Sequence, residues 1–245
     1  MTAAAMRFSG GKDSVMAALR MAPKLDKLDM LTFTTRMIAD ADASRRNADV
    51  LRAMLSPRVE VRHAIVDIDA TAQFLYEPRG WRDNWRRFGS YAVCCMCNAC
   101  DLAMIVHVVL HCARHGYPLA FDGGNSTEFA GFLDDWGLPK IKQFAGSYGV
   151  RWEYPVYGET RTDLLMLERG LRADPPKLLF GSQPRCRGGG TATNLYLRFY
   201  YLPRHGADDY RETTLRWLDD RLKLARKLVD AHLARATGTP DGAFG

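Results

Sequence analysis

The sequence predicts an α/β protein with three layers, in which helices cover both faces of a parallel sheet. Three observations support this fold class. Apolar segments typical of buried strands alternate with segments of helical periodicity, the arrangement of right-handed βαβ units. Polar segments follow the first, second and fourth of these strands, where parallel sheets bind their ligands. A long amphipathic segment near the end of the chain predicts a C-terminal helical extension.

The elements can be assigned in order along the chain. Buried strands are predicted at residues 3–8, 27–35, 59–66, 117–121 and 150–156. Helices are predicted at residues 15–20, 44–55, 98–115, 162–170 and 208–236, and a helix with a loop over the site at residues 67–89. Residues 186–191 predict a flexible loop and residues 237–245 a disordered tail. We expect a sheet domain at residues 1–170 and an extension at residues 171–245.

The C-terminal amphipathic helix carries one apolar stripe. Its members are Leu215, Leu218, Leu222, Ala225, Val229 and His232. Such a stripe is explained either by packing within the chain or by a homodimer surface.

Composition places broad limits on function. The 245 residues are 47% hydrophobic and 25% charged, as in globular proteins, and no apolar run approaches the roughly 20 residues of a membrane helix. We therefore expect no membrane association. The chain enters its first strand without a leader segment, which predicts a cytoplasmic protein. The net charge of +6 suits a polyanionic ligand; ATP is sufficient, and RNA is compatible.

The first strand leads into a glycine turn that suits an anion. Ser9, Gly10, Gly11, Lys12, Asp13 and Ser14 follow it, and a helical segment comes next. Adjacent glycines let a phosphate approach the main chain, and backbone N–H groups at the start of a helix point at the anion. The spacing differs from that of the Walker loop. The alternative explanation is an ordinary strand-to-helix turn that happens to be rich in glycine.

A second polar segment follows the fourth strand. Asp122, Gly123, Asn125, Ser126 and Glu128 could bind a ribose, a phosphate or Mg²⁺. Thr34, at the end of the second strand, is expected at the same edge of the sheet. An asparagine-capped turn into the next helix would explain the second segment equally well.

The cysteines predict metal or redox chemistry. Four of them, Cys94, Cys95, Cys97 and Cys100, lie within seven residues, which in an intracellular protein argues against disulfides. Cys97 and Cys100 are expected to open a helix and to bind zinc or an iron–sulfur cluster. Cys186 is the candidate third ligand, and Cys94 or Cys95 the fourth. The alternative is that these thiols pack as small apolar groups, most clearly so for Cys112.

The turn at residues 9–14 resembles the PP-loop, the Ser-Gly-Gly-x-Asp-Ser signature of the ATP pyrophosphatases. The resemblance implies the HUP-type α/β fold and cleavage of ATP between its α and β phosphates, with AMP placed on an acceptor oxygen. It implies that Ser9, Gly10, Gly11 and Ser14 bind the phosphates. Lys12 would neutralise the departing pyrophosphate and Asp13 would bind Mg²⁺. Other PP-loop chemistry, including adenylylsulfate reduction, and a nucleotide-binding module without catalytic activity are further alternatives.

Two families within this superfamily share further motifs with the chain. Arg45-Arg46-Asn47, the Cys97–Cys100 motif and residues 117–128 resemble the N-acetyl sugar amidotransferases. That resemblance implies a sugar or other small-molecule acceptor, ammonia from a glutaminase partner, and structural cysteines. The Cys-x-x-Cys motif and the segment from Gly181 to Cys186 resemble the tRNA 2-thiocytidine synthetases, which use a [4Fe-4S] cluster to transfer sulfur. The match to the amidotransferases is the longer one, so we expect amidotransfer, with thiolation of tRNA or of a small molecule as the alternative. No RNA-binding extension is visible, so tRNA is the less expected acceptor.

Overall fold

Five parallel strands form the central sheet of the protein. The structure is a computed structural model that describes residues 2–124, 132, 134–159, 185–187 and 189–236. The strands are β1 (Ala3–Arg7), β2 (Lys27–Thr34), β4 (Glu60–Asp67), β5 (Leu119–Asp122) and β6 (Arg151–Glu153), in the spatial order β4-β2-β1-β5-β6. A separate antiparallel pair joins β3 (Ile38–Ala39) to β7 (Arg185–Cys186). The predicted α/β class is confirmed, and all five predicted strands belong to the sheet.

Helices pack on both faces of the sheet, as predicted. They are α1 (Lys12–Met21), α2 (Ala43–Leu55), α3 (Asp69–Tyr76), α4 (Trp81–Phe88), α5 (Ala92–His115), α6 (Leu138–Gly146), α7 (Gly189–Tyr196) and α8 (Leu202–Ala236). Gly206, with φ of +82°, interrupts α8 near its start, and a π-helical turn (Leu197–Tyr201) connects α7 to α8. The α8 helix confirms the predicted C-terminal extension.

Alternating side chains of the strands fill two hydrophobic cores. In β1 and β2, Ala4, Met6 and Leu28 face a core shared with α1 and α2, whereas Ala5 and Leu31 face a core shared with α3, α5, α6 and α8. The β-strand repeat of two residues produces this division. The C-terminal stripe packs within the chain, because Leu218, Leu222, Ala225 and Val229 are buried in the second core. These described side chains therefore give no support for a homodimer surface.

The α5 helix is central to that second core. By length and composition it could cross a membrane, so the expectation that no apolar run reaches this size is wrong. A buried helix passes the same test, and this one packs against β1, α3 and α8. The helix begins at Ala92, six residues before the predicted start, and these added residues are alanine, valine, methionine and three cysteines.

Two other expectations are corrected and three lie outside the described residues. Residues 186–191 are not one flexible loop, since Cys186 pairs with Ile38 in the β3–β7 strand pair and α7 begins at Gly189. Residues 67–89 contain two helices, α3 and α4, instead of one helix and a loop. The helix predicted at 162–170, the domain boundary at 170 and the tail after 236 fall outside the described part of the chain.

Candidate active site

The turn between β1 and α1 has a backbone suited to an anion. Gly10 has φ of +76°, a left-handed conformation that favours glycine. The first bond of the helix runs from the N–H of Val15 to the carbonyl of Gly11, at 3.0 Å. The N–H groups in the first turn of α1 have no hydrogen-bond acceptor within the helix, because no helical carbonyl lies four residues before them. These groups and the positive end of the helix dipole give the turn its affinity for negative charge.

Side chains brace this turn from within and from α2. The Ser9 Oγ accepts the N–H of Gly11 at 3.1 Å, and the Ser14 Oγ donates to the carbonyl of Gly11 at 2.8 Å. The Asn47 amide on α2 donates to the carbonyl of Gly10. Asn47, from the Arg45-Arg46-Asn47 motif, therefore holds the Gly10 carbonyl group of the glycine turn in place. Lys12 is exposed and Asp13 is half-buried at the start of the helix.

The end of β5 lies directly against the start of α1. A Cβ atom on Gly123 would lie 2.5 Å from the Ser14 amide nitrogen and 2.6 Å from the Asp13 carbonyl carbon. Both are backbone atoms, so no side chain fits at residue 123 unless one of the two segments moves. The structure thus places the first part of the second predicted segment beside the turn. Asn125, Ser126 and Glu128 lie outside the described residues.

Asp122 is fully buried, and both oxygens of its carboxylate contact groups of the protein. One oxygen accepts the N–H of Gly124 at 2.6 Å, and the other lies 3.1 Å from the Arg7 guanidinium. Burial raises the pKa of Asp122, and the Arg7 charge opposes that rise. Arg7 also contacts Asp101 on α5. This ion-pair chain links the end of β5, and with it the glycine turn, to the helix that carries the cysteines.

Three of the predicted metal ligands line one cavity. Cys97 and Cys100 on α5 and Cys186 on β7 share a cavity of about 320 Å³ with Thr35, Met96 and Asp101. None of the three is in a disulfide. Burial raises the pKa of both Cys97 and Cys100, and the charge of a Cys186 thiolate adds to that rise. Chain segments almost ninety residues apart converge here.

The thiols of α5 are buried and hydrogen-bonded. Burial raises the pKa of Cys100 to about 12. The charge of Arg7 and a hydrogen bond with Thr35 lower this pKa, but by less than burial raises it. Burial also raises the pKa of Cys97, whose sulfur lies 3.1 Å from the Thr193 hydroxyl. Without a metal both thiols are therefore protonated at neutral pH, and metal binding must displace their protons. Thr34, predicted at the nucleotide site, is the last residue of β2, and its hydroxyl donates to the carbonyl of Ile38 at 3.3 Å.

Two expectations about the cysteines are wrong. The motif does not open a helix: Cys97 and Cys100 lie in the second and third turns of α5, where the helix dipole no longer lowers a thiol pKa. Cys94 and Cys95 are buried in the hydrophobic core and do not line the cavity, so neither is placed to serve as a fourth ligand. Cys112 is fully buried, which agrees with the packing alternative.

The arrangement of thiols distinguishes between kinds of metal site. In the described part of the chain no three His, Cys, Asp or Glu side chains are close enough to hold a single metal ion. A zinc ion, with Zn–S bonds of about 2.3 Å, would require such convergence. An iron–sulfur cluster binds each thiolate through a different iron and so tolerates ligands spaced around a cavity. Three thiols are the donor type that an iron–sulfur cluster uses.

Sequence reasoning missed several residues of this site. Arg7, Thr35, Asp101 and Thr193 connect the cysteines to their surroundings through contacts between distant segments. No local pattern marks Thr35, Asp101 or Thr193. The ending of β1 in an arginine, immediately before an anion-binding turn, was the one available signal for Arg7.

Comparison with known proteins identifies similar folds only. No family model matches the chain, and no curated protein does. One similar solved structure is a predicted subunit of tRNA methyltransferase from Methanocaldococcus jannaschii, at 14% identity and a TM-score of 0.40, covering 76% of this chain and 96% of that one. Another is the U34-tRNA thiolase NcsA from Methanococcus maripaludis with its [4Fe-4S] cluster, at 15% identity and a TM-score of 0.46, covering 91% and 73%. Similarity at this level assigns no activity to the chain.

Proposed function

We propose that the protein is an ATP-dependent enzyme that adenylates a carbonyl oxygen of its acceptor and replaces that oxygen with sulfur. One observation carries the proposal. Cys97, Cys100 and Cys186 line a single cavity, and Asp101 in its wall is joined by Arg7 to the strand end beside the anion-binding turn. The candidate sites for a nucleotide and for sulfur would therefore be neighbours at the carboxyl ends of the strands.

The first half-reaction depends on positioning and on neutralising charge. The turn at residues 9–14 holds the phosphates of ATP, Lys12 neutralises the pyrophosphate as it leaves, and Asp13 binds Mg²⁺. The acceptor oxygen attacks the α-phosphorus, the bond to the β-phosphate oxygen breaks, and pyrophosphate departs. Gly123 and Asn47 keep the turn in the required shape. The product is an acceptor whose oxygen carries AMP.

The second half-reaction exchanges oxygen for sulfur without a change of oxidation state. Sulfide adds to the carbon that carries the adenylated oxygen, and AMP leaves with that oxygen, so a C=S bond replaces the C=O bond. When bound, an iron–sulfur cluster supplies a place to hold sulfide beside the acceptor. Cys97, Cys100 and Cys186 would hold the cluster, and Thr35 and Thr193 keep the two thiols of α5 oriented.

The nature of the acceptor and the cytoplasmic location remain predictions, and a glutaminase partner belongs only to the amidotransferase hypothesis. A nucleobase and a small amide, including a sugar amide, both carry a suitable carbonyl. The amidotransferase hypothesis differs only in the second half-reaction, where ammonia would take the place of sulfide. No contact in the described residues favours ammonia, whereas the shared cavity of three cysteines favours sulfur.

The products of ATP cleavage test the first half-reaction. The protein, reconstituted with iron and sulfide, is incubated with Mg²⁺, ATP, sulfide and cellular RNA or an amide mixture. We expect AMP and pyrophosphate rather than ADP and phosphate. Lys12→Ala should abolish AMP formation and leave the unfolding transition unchanged, because Lys12 is exposed. Lys24→Ala, which removes another exposed lysine, is the matched control. Formation of AMP by Lys12→Ala at the wild-type rate would overturn the assignment.

Donor preference tests the second half-reaction. With sulfide present we expect sulfur in the product, detected by mass spectrometry as the exchange of one oxygen for one sulfur. Replacing sulfide with ammonium should give AMP without a nitrogen-containing product. An amidated product formed in the absence of sulfide would replace the sulfur-transfer proposal with amidotransfer.

A further inference from the structure

Most of the exposed large apolar side chains in the described residues lie on segments around the start of α5. Of ten such side chains, seven lie on α4, the first turns of α5 and the segment from α7 into the π-helical turn. They are Trp81, Trp85, Val93, Met96, Leu195, Phe199 and Tyr200. Scattered exposed apolar residues are normal, but a concentration of them marks an interaction surface. We call these seven residues and the arginines among them the α5 surface.

The segments that carry the α5 surface are packed against one another. The Tyr196 hydroxyl donates to the carbonyl of Ser90 at 2.9 Å, and the Ser90 hydroxyl lies 3.3 Å from the His205 ring. Arg87 on α4 forms an ion pair with Asp220 on α8 at 2.8 Å. The rigid frame beneath the exposed rings is therefore already in place in the free protein.

Arginines accompany the exposed aromatic rings. The guanidinium carbons of Arg82, Arg198 and Arg204 lie 5.6, 5.6 and 3.9 Å from the ring centres of Trp81, Phe199 and Tyr200. These arginines and Arg86 are exposed. Two acidic groups of the same segments are engaged within the protein. Asp83 pairs with Arg87 at 3.6 Å, and Asp209 accepts the Tyr201 hydroxyl at 2.6 Å.

The α5 surface adjoins the cysteine cavity. Met96 belongs to both, and Tyr76 and Glu77, at the end of α3, line the cavity as well. On the other side Thr193 of α7 touches Cys97. A long molecule lying on this surface can therefore place one of its groups at the cavity mouth.

We propose that the α5 surface binds unpaired RNA, with bases stacked on Trp81, Trp85 and Phe199 and phosphates held by the adjacent arginines. Flat rings beside positive charge are complementary to an unpaired strand, whose bases offer π faces and whose backbone carries one negative charge per nucleotide. A duplex hides those faces. The net charge of +6 agrees with a polyanionic partner. Only the use of the bound strand as sulfur acceptor rests on the proposed function; binding itself does not.

A binding titration tests the surface. The probe is a fluorescein-labelled single-stranded RNA of 12 nucleotides in mixed sequence, compared by anisotropy with the same strand in a duplex. We expect tighter binding of the single strand. Trp81→Ala/Trp85→Ala should weaken it by about 30-fold or more, since each base–aromatic stack contributes about 5-fold or more. The two indoles are 57% and 53% exposed, so the variant should unfold at the same denaturant concentration as the wild type.

Salt dependence separates the role of the arginines from that of the rings. Arg82→Ala/Arg86→Ala should reduce the slope of log affinity against log salt by about 1.4, which is about 0.7 for each lost phosphate contact. Met54→Ala and Arg58→Ala, at exposed positions away from the surface, are matched controls and should change neither quantity.

Three results would overturn the proposal: equal affinity for the duplex, unchanged RNA affinity in both double variants, or loss of a protein dimer in these variants with RNA affinity intact. The last would assign the surface to a second copy of the chain. ATP affinity should be unchanged in all variants. Wild-type protein that binds single strands but forms no AMP would refute the proposed function and leave this surface assignment standing.

Discussion

Substitution of Gly123 by alanine tests whether the end of β5 shapes the nucleotide site. The new methyl carbon would lie 2.5 Å from the Ser14 nitrogen, about 1 Å closer than an ordinary carbon–nitrogen contact, so the first turn of α1 must move by a similar distance. A displacement of that size breaks one charge-assisted hydrogen bond to a phosphate, worth about 1.5–3 kcal/mol. The affinity for Mg-ATP should therefore fall by about 10- to 150-fold.

Calorimetric titration with Mg-ATP measures this loss, and urea unfolding measures the accompanying cost in stability, about 1–3 kcal/mol for an overpacked site. Gly146→Ala is the matched control. A Cβ atom there meets no other atom within 4 Å and lies in α6, so nucleotide affinity should not change. Wild-type affinity in Gly123→Ala would refute the claim that this contact positions the phosphate-binding turn.

Three further predictions concern the pH dependence, the thiols and the support from α2. Burial lowers the pKa of His107 to about 4, from about 6.5 in the unfolded chain, so the free energy of unfolding should fall as the pH drops from 6.5 to 4. His107→Gln should remove up to about 3 kcal/mol of that fall, measured by urea unfolding at both pH values. In metal-free protein at pH 7.5, iodoacetamide should modify the exposed Cys186 before Cys100, because burial raises the pKa of Cys100 to about 12. Mass spectrometry follows the order of modification, and the reverse order would contradict the structure. Asn47→Ala should weaken Mg-ATP binding by about 5- to 10-fold through loss of the amide that holds Gly10, with the exposed Arg46→Ala as its control.

Local patterns were sufficient to predict most of the fold. The strands β1, β2 and β4 appear where apolar residues repeat, and α1 follows Gly10 and Gly11 as the glycine turn indicates. The start of α5 was misplaced because Val93, Cys94 and Cys95 are compatible with a strand, a loop or a helix until tertiary packing selects the helix. Burial by the surrounding helices, rather than local preference, determines that segment.

The candidate site was predictable only in part. Motif spacing identified Ser9 to Ser14 and the pair Cys97 and Cys100. The pairing of β3 with β7, which brings Cys186 to the cavity, joins two-residue strands almost 150 positions apart, and such short strands leave no periodic signal. The ion-pair chain through Arg7 is likewise a product of the sheet order, which brings β1 next to β5.

The iron content of protein purified without oxygen tests the central claim most directly. The account predicts a brown protein with about four irons per chain. Iron should be lost in Cys97→Ala, Cys100→Ala and Cys186→Ala, and kept in Cys112→Ala, whose thiol is buried away from the cavity. A colourless protein, or one whose metal content is the same in all four variants, would contradict the assignment of these cysteines and with it the proposal of sulfur transfer.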